Sequence, residues 1–275
     1  MTDETDYDPE LERLLDDAWE ALEGGDLRAV KRALRAARET AADDPAVIEL
    51  EASLAREQDE PERALEAYRR WSEADPDDPE PWLGSAEVYV EFGEPAEAAR
   101  LLRELLAGPR LDPLDEADAR HLLGIACEEK GDAKGMVTEW LATMRLDEAN
   151  DGPRTRLPRD EFERLAAAAL DELPEEILAR LGNVPVFVED HPSEALVLEG
   201  LDPRTLGLFH GIAMPDQSTL GPGPDVGVIH LFQRNLEREV EEDDELAEQI
   251  RITVLHETAH YFGAGEQDMH RFGLN

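Results

Sequence analysis

The first half of this chain repeats itself, and the repeat limits what it can fold into more than any other feature. Short breaks fall at Gly25-Asp26, Asp59-Glu60, Gly93-Glu94 and Gly131-Asp132, with steps of 34, 34 and 38 residues between their acidic members. Pro45, Pro79 and Pro113 form a second ladder with the same 34-residue step. Each break is followed by an amphipathic stretch such as Glu62–Arg70 and preceded by another such as Trp82–Val90. A fixed period of this length, with two helices per unit, predicts a stack in which each unit buries its apolar stripe against the next.

Particular residues say which stack. Trp82, Ala86, Tyr89 and Ala98 sit in one unit where tetratricopeptide repeats, which this period resembles, carry Trp, Gly, Tyr and Ala; Pro76 sits at the expected closing proline of the unit before it, and Leu123-Gly124 reproduces the Leu-Gly pair in the last. The first unit keeps only Ala18, Ala21 and Leu34, and an insertion at Gly108 to Arg110 accounts for most of the longer step. The pattern resembles tetratricopeptide repeats, about four of them over residues 11–149, after an acidic tail at 1–10 expected to lack order. A solenoid of this kind leaves a concave groove. That groove is a candidate site for a protein partner, and a lining of Glu and Asp would favour a basic one.

Residues 150–158 hold Gly152, Pro153 and Pro158 and read as a linker. Beyond it the periodicity changes. Asp160 to Leu173 is helical, with Asp160 as the expected N-cap, and a short helix is expected over Glu175 to Leu181. Three strand candidates follow at Val184–Glu189, Thr205–Gly211 and Val226–Phe232. A last helix begins near Asp243 or Asp244. The second domain, residues 159–275, is therefore expected to be α+β, a small sheet beside that helix, and the chain as a whole α+β.

The last helix carries His256-Glu257-Thr258-Ala259-His260. Two imidazoles four residues apart stand one turn apart on the same helix face, so both can reach one metal ion. Glu257 between them can take a proton from a water that the metal activates. Ile250 and Val254, and Leu255 and Ala259, share the same four-residue spacing, which suits a helix with a buried face, and Gly263 suits its stop.

The ordered segments FERLAAAALDELPEEIL, NVPVFVED, LGLFHG, VIHLFQRNLER and IRITVLHETAHYFG resemble the small bacterial zincin-like metallopeptidase family, over roughly residues 159–273. The resemblance implies zinc at His256 and His260 with Glu257 as general base. It implies a third ligand three residues past Gly263, which is Glu266 here, where relatives usually show Asp. Asp268 and His270 stand close enough to replace it. Met269 does not fit the methionine turn of the larger metzincins. His210 and His230 are read as strand residues that could assist substrate binding, and His191 as a loop residue.

The resemblance thus implies a zinc-dependent peptidase acting on a peptide or protein substrate, with the repeats recruiting a partner. The alternative is a non-catalytic binding scaffold with a degenerate or structural zinc site; a third reading has no metal.

Composition excludes other classes. Asp and Glu number 67 against 27 Lys and Arg, a formal net charge of −40, so a basic nucleic-acid-binding surface and an anionic membrane are both excluded as partners. Lys31, Lys130 and Lys134 are the only lysines, a balance that resembles proteins working in high salt. The single cysteine, Cys127, allows no internal disulfide and points to a reducing compartment, the cytoplasm. The acidic, non-apolar N-terminus predicts neither signal peptide nor membrane anchor.

Overall fold

The structure is a computed structural model that describes residues 9–108, 111–173, 184–211, 227–240 and 243–262. It divides into two compact units, residues 1–146 and 147–275.

Unit 1 is built from helix pairs: α1 (Pro9–Glu23) with α2 (Leu27–Ala41), α3 (Pro45–Glu57) with α4 (Pro61–Ala74), α5 (Glu80–Glu91) with α6 (Pro95–Ala107), and α7 (Pro113–Glu129) with α8 (Ala133–Asn150). The first helix starts at Pro9, two residues ahead of the expected start of the array; residues 1–8 lie outside the described residues. Both sequence ladders have a local cause. In the proline ladder, Pro45 and Pro113 stand at the first helical position of α3 and α7, where the missing N–H leaves no bond unmade, and Pro79 is the residue that caps α5; Pro61 and Pro95 begin α4 and α6 in the same way. Between the helices of each pair one residue takes a left-handed conformation: Gly25 (φ 71°), Gly93 (76°), Gly131 (72°) and, without glycine, Asp59 (54°).

The core of unit 1 is rich in alanine. Ala37, Ala52, Ala64, Ala98, Ala117 and Ala126 are fully buried, and such small side chains let helix axes approach closely. Gly124 goes further: a Cβ there would stand 2.2 Å from the Trp140 ring, so glycine is what lets the indole pack this close to α7. Cys127 is buried in this core, and burial pushes its thiol up, as suits a packing residue and not a nucleophile. Glu51, on α3, is gripped by Arg38 and Arg70 from the flanking helices. Burial alone would raise its carboxyl; the two guanidiniums outweigh that and hold it below the usual range.

Unit 2 opens with the last turn of α8 and continues through α9 (Arg159–Asp171), β1 (Val186–Glu189), α10 (Glu194–Leu198), β2 (Gly207–His210), β3 (Val228–Phe232), α11 (Gln233–Glu239) and α12 (Asp243–Tyr261). Pro158, not Asp160, caps α9, and no side chain bonds to its first amides. The rigid φ of proline starts the helix instead. The helix expected over Glu175 to Leu181 lies outside the described residues. The sheet order is β1-β3-β2, with β1 parallel and β2 antiparallel to β3. Ile229 and Leu231 of β3 pack with Phe162 and Ala166 of α9 and with Leu246, Ile250 and Val254 of α12. A second network fixes the loops. Asp147, 2% exposed, takes a two-pronged grip from Arg204 (3.0 and 3.0 Å) and a third bond from Arg238 (2.9 Å). No helix among the described residues is long and apolar enough to cross a membrane.

Candidate metal centre

Helix α12 carries the site because two of its stripes do different work. Leu246, Ile250 and Val254 are buried in the core, and Thr253, Glu257 and Tyr261, four residues apart, run beneath β2. His256 and His260 lie beside this buried face, each half-buried. Their Nε2 atoms stand 3.1 Å apart and the ring centroids 4.8 Å. The two nitrogens therefore converge on one point, as the four-residue spacing requires.

Glu257 is 6% exposed, and β2 explains how a carboxylate is held there. The Phe232 amide donates to the Leu206 carbonyl at 2.9 Å, which fixes the phase of the antiparallel ladder. Leu206, Leu208 and His210 thus spend their backbone groups on β3, while Gly207 and Phe209 turn theirs to the outer edge. The Phe209 amide donates to Glu257 Oε2 at 2.6 Å, a charge-assisted bond to the helix below. Gly207 makes the room. A Cβ on it would meet Thr253 Cγ2 at 2.8 Å and Glu257 Cγ at 2.9 Å. The Phe209 ring then meets Tyr261 edge-on, with centroids 5.6 Å apart.

The alternation that points Gly207 and Phe209 at α12 sends their neighbours the other way. His210 is exposed on the far face of the sheet. His230, opposite Leu208, shares that face and bonds through Nδ1 to Glu189 Oε2 at 2.7 Å. Neither reaches Glu257. His191 is a half-buried loop residue whose ring, 8% exposed, bridges Asp151 (2.5 Å) and Asn235 (3.2 Å), and Asn235 in turn donates to the Pro203 and Thr205 carbonyls ahead of β2. Glu266, Asp268 and His270 lie outside the described residues, and among those described no third metal-ligating group joins the two histidines. A cavity of about 230 Å³ opens beside His256 and Glu257, between Leu206 on one side and Ile252 on the other.

Reading by motif finds the histidines and the glutamate. It does not find Gly207 or the Phe209 amide. The signal for the first was present: a lone glycine inside a strand marks a close approach.

An array of helix pairs is thus followed by an α+β unit in which helix α12, carrying the paired histidines, lies under an edge strand. Residues 55–124 match the model of a tetratricopeptide repeat family, and residues 181–274 match that of the zincin-like metallopeptidases. This chain therefore carries tetratricopeptide repeats followed by a zincin-like metallopeptidase domain. The helix pairs extend beyond the matched repeats on both sides, and α9, ahead of the matched zincin-like segment, supplies part of its core. No curated protein matches the chain. Among solved structures, PilW, a widely conserved type IV pilus biogenesis factor, is 13% identical at a TM-score of 0.46, covering 98% of this chain and 96% of its own. The MamA protein is 14% identical at 0.41, over 58% of this chain and 80% of its own. A tetratricopeptide repeat protein from Parabacteroides merdae is 16% identical at 0.30, over 51% and 71%. At these scores none of the three bears on function.

Proposed function

We propose that unit 2 is a zinc-dependent peptidase and that the repeat array recruits its protein partner or substrate. The observation that carries this is the setting of Glu257: a buried carboxylate fixed by the Phe209 amide, one residue from His256 and three from His260, whose nitrogens converge. Two nitrogens bound tetrahedrally to one zinc lie about 3.3 Å apart, so a separation of 3.1 Å suits that ion. His256 and His260 would hold it, with Glu266 as third ligand, or Asp268 or His270 in its place. When bound, zinc lowers the pKa of water toward about 7 and polarises a carbonyl.

The chain's own residues do the rest. Glu257 takes the proton of the attacking water and hands it to the leaving amine. The Phe209 amide keeps the carboxylate in one orientation meanwhile, and burial shields it from bulk water. An extended substrate adds to the outer edge of β2, where Gly207 turns its N–H and C=O outward. A basic segment would suit the repeats if their groove carries the chain's prevailing acidic charge, 67 Asp and Glu against 27 Lys and Arg. The single cysteine favours a reducing compartment, the cytoplasm.

Replacing Glu257 with Gln keeps the shape and removes the base. Zinc content should stay at one equivalent while peptide hydrolysis falls by about 10²-fold or more. Unchanged hydrolysis in E257Q would overturn the role of Glu257. Equimolar zinc retained in H256A or H260A would overturn the ligand assignment.

A further inference from the structure

Helix α2 runs against the charge of the chain. Five of the 27 Lys and Arg residues, Arg28, Lys31, Arg32, Arg35 and Arg38, fall within positions 28–38, with no acidic residue among them. Elsewhere in the array arginines are engaged with carboxylates: Arg56 with Glu87 and Glu91, Arg69 with Glu66 and Glu73, Arg120 with Glu116 and Glu139. Arg38 follows that rule and grips Glu51. Arg28, Lys31, Arg32 and Arg35 do not. All four are exposed, and none forms an ion pair among the described residues.

The same cations border a hollow. Lys31, Arg35 and Arg38 line a cavity of about 390 Å³ with Arg63 of α4, over the almost fully buried Leu34 and Leu54. Glu39 is the one carboxylate in that lining, and Arg63 is already held by Glu60. The volume equals roughly thirteen waters, room for several side chains and more than one small anion needs. The cations of this face all come from α2 and α4, the second helices of their pairs. Their spacing suits an extended chain. Arg28, Lys31, Arg35 and Arg38, at steps of three, four and three, form one stripe along the helix, and Lys31 and Arg35 are about 6 Å apart along its axis. Alternate side chains of an extended peptide point the same way about 6.6–6.8 Å apart. Carboxylates at every second position would therefore meet successive cations. The net charge of −40 does not forbid this. At about 0.15 M salt, exposed charges more than about 8 Å apart are largely screened, so the pairs in contact decide.

We propose that the α2 face docks an extended acidic segment of a protein partner, with carboxylates at alternate positions. This goes beyond the peptidase reading and does not rest on it. The probe is a fluorescein-labelled octapeptide alternating Glu and Ser, titrated with the full-length protein at about 0.15 M salt and followed by fluorescence anisotropy. A peptide of the same composition with its Glu in one block turns half of them away from the face and should bind about fivefold more weakly. Lys31→Glu with Arg35→Glu turns two attractions into two repulsions and should weaken the alternating peptide about tenfold or more. Both positions are exposed and both residue types suit a helix. Arg100→Glu, at an arginine that Glu97 and Glu104 already engage, should leave the affinity unchanged. Where the double glutamate variant does not fold, Lys31→Gln with Arg35→Gln must weaken the peptide in its place. Parent protein that does not bind the alternating peptide at millimolar concentration, or a double variant that binds it as the parent does, overturns the docking face. Equal affinity for the block peptide overturns the alternation. An oligothymidylate of equal charge that binds tighter than the peptide overturns the protein segment as occupant.

Discussion

Replacing Gly207 with Ala should dislodge Glu257. The added Cβ would stand 2.8 Å from Thr253 Cγ2 and 2.9 Å from Glu257 Cγ, against about 3.5–4.0 Å for comfortable carbon contacts. Both partners are almost fully buried, at 5% and 6% exposure, so neither can swing clear into solvent. Two responses are open. The edge strand rises off α12, or Glu257 rotates and gives up the Phe209 amide. Overpacking of this size costs about 1–3 kcal/mol, and a lost hydrogen bond to a charged group about 1.5–3 kcal/mol. The two are alternatives more than addends, so the loss should be about 2–3 kcal/mol. For a unit of this size that lowers Tm by roughly 6–12 °C. Differential scanning calorimetry measures the loss, and the amide proton of Phe209, expected far downfield beside a carboxylate, reports which response occurs. Gly152→Ala is the control, because the nearest atom to its added Cβ, the Arg154 carbonyl oxygen, is 3.9 Å away. If G207A melts within 1 °C of the parent (well inside the ~6 °C minimum expected) and the Phe209 amide keeps its shift, then β2 does not stand over Glu257 as described.

Asp147→Ala should destabilise unit 2 by about 3 kcal/mol, since it removes the buried carboxylate that Arg204 and Arg238 both grip; a urea midpoint unchanged from the parent would refute this. Glu51→Gln should cost about 2 kcal/mol at neutral pH through the lost grip of Arg38 and Arg70. Because the Glu51 carboxyl is depressed in the folded state, its contribution is present above the ordinary carboxylate range and fades as pH falls through its folded value. The Tm gap between parent and E51Q should therefore be widest at neutral pH and narrow in acid; a gap that widens on acidification would contradict the ion-pair account.

What could be read from the amino acids alone follows from how far apart the interacting residues lie. The 34-residue ladder is legible because its causes are local: a left-handed residue between paired helices and a proline at a helix start act within a few positions. The stripe of His256 and His260 is legible for the same reason, one turn of one helix. The placing of Pro158 over Asp160 as the cap of α9 was not, because both residue types suit the start of a helix and local preference does not choose between them. The site's supports were hidden for a different reason. Phe209 holds Glu257 across 48 residues and Asp147 holds Arg238 across 91, and no spacing rule connects such pairs. They depend on which strand lies at the sheet edge and in which phase. That phase has a chemical consequence. A strand at the free edge of a sheet ordinarily offers each outward amide to a newcomer. Here the chain has assigned the Phe209 amide to its own carboxylate, so an incoming backbone opposite that residue finds the acceptor place taken by Glu257. On the peptidase reading proposed above, the carbonyl of that backbone would be left without a partner on the strand, next to the Glu257 carboxylate.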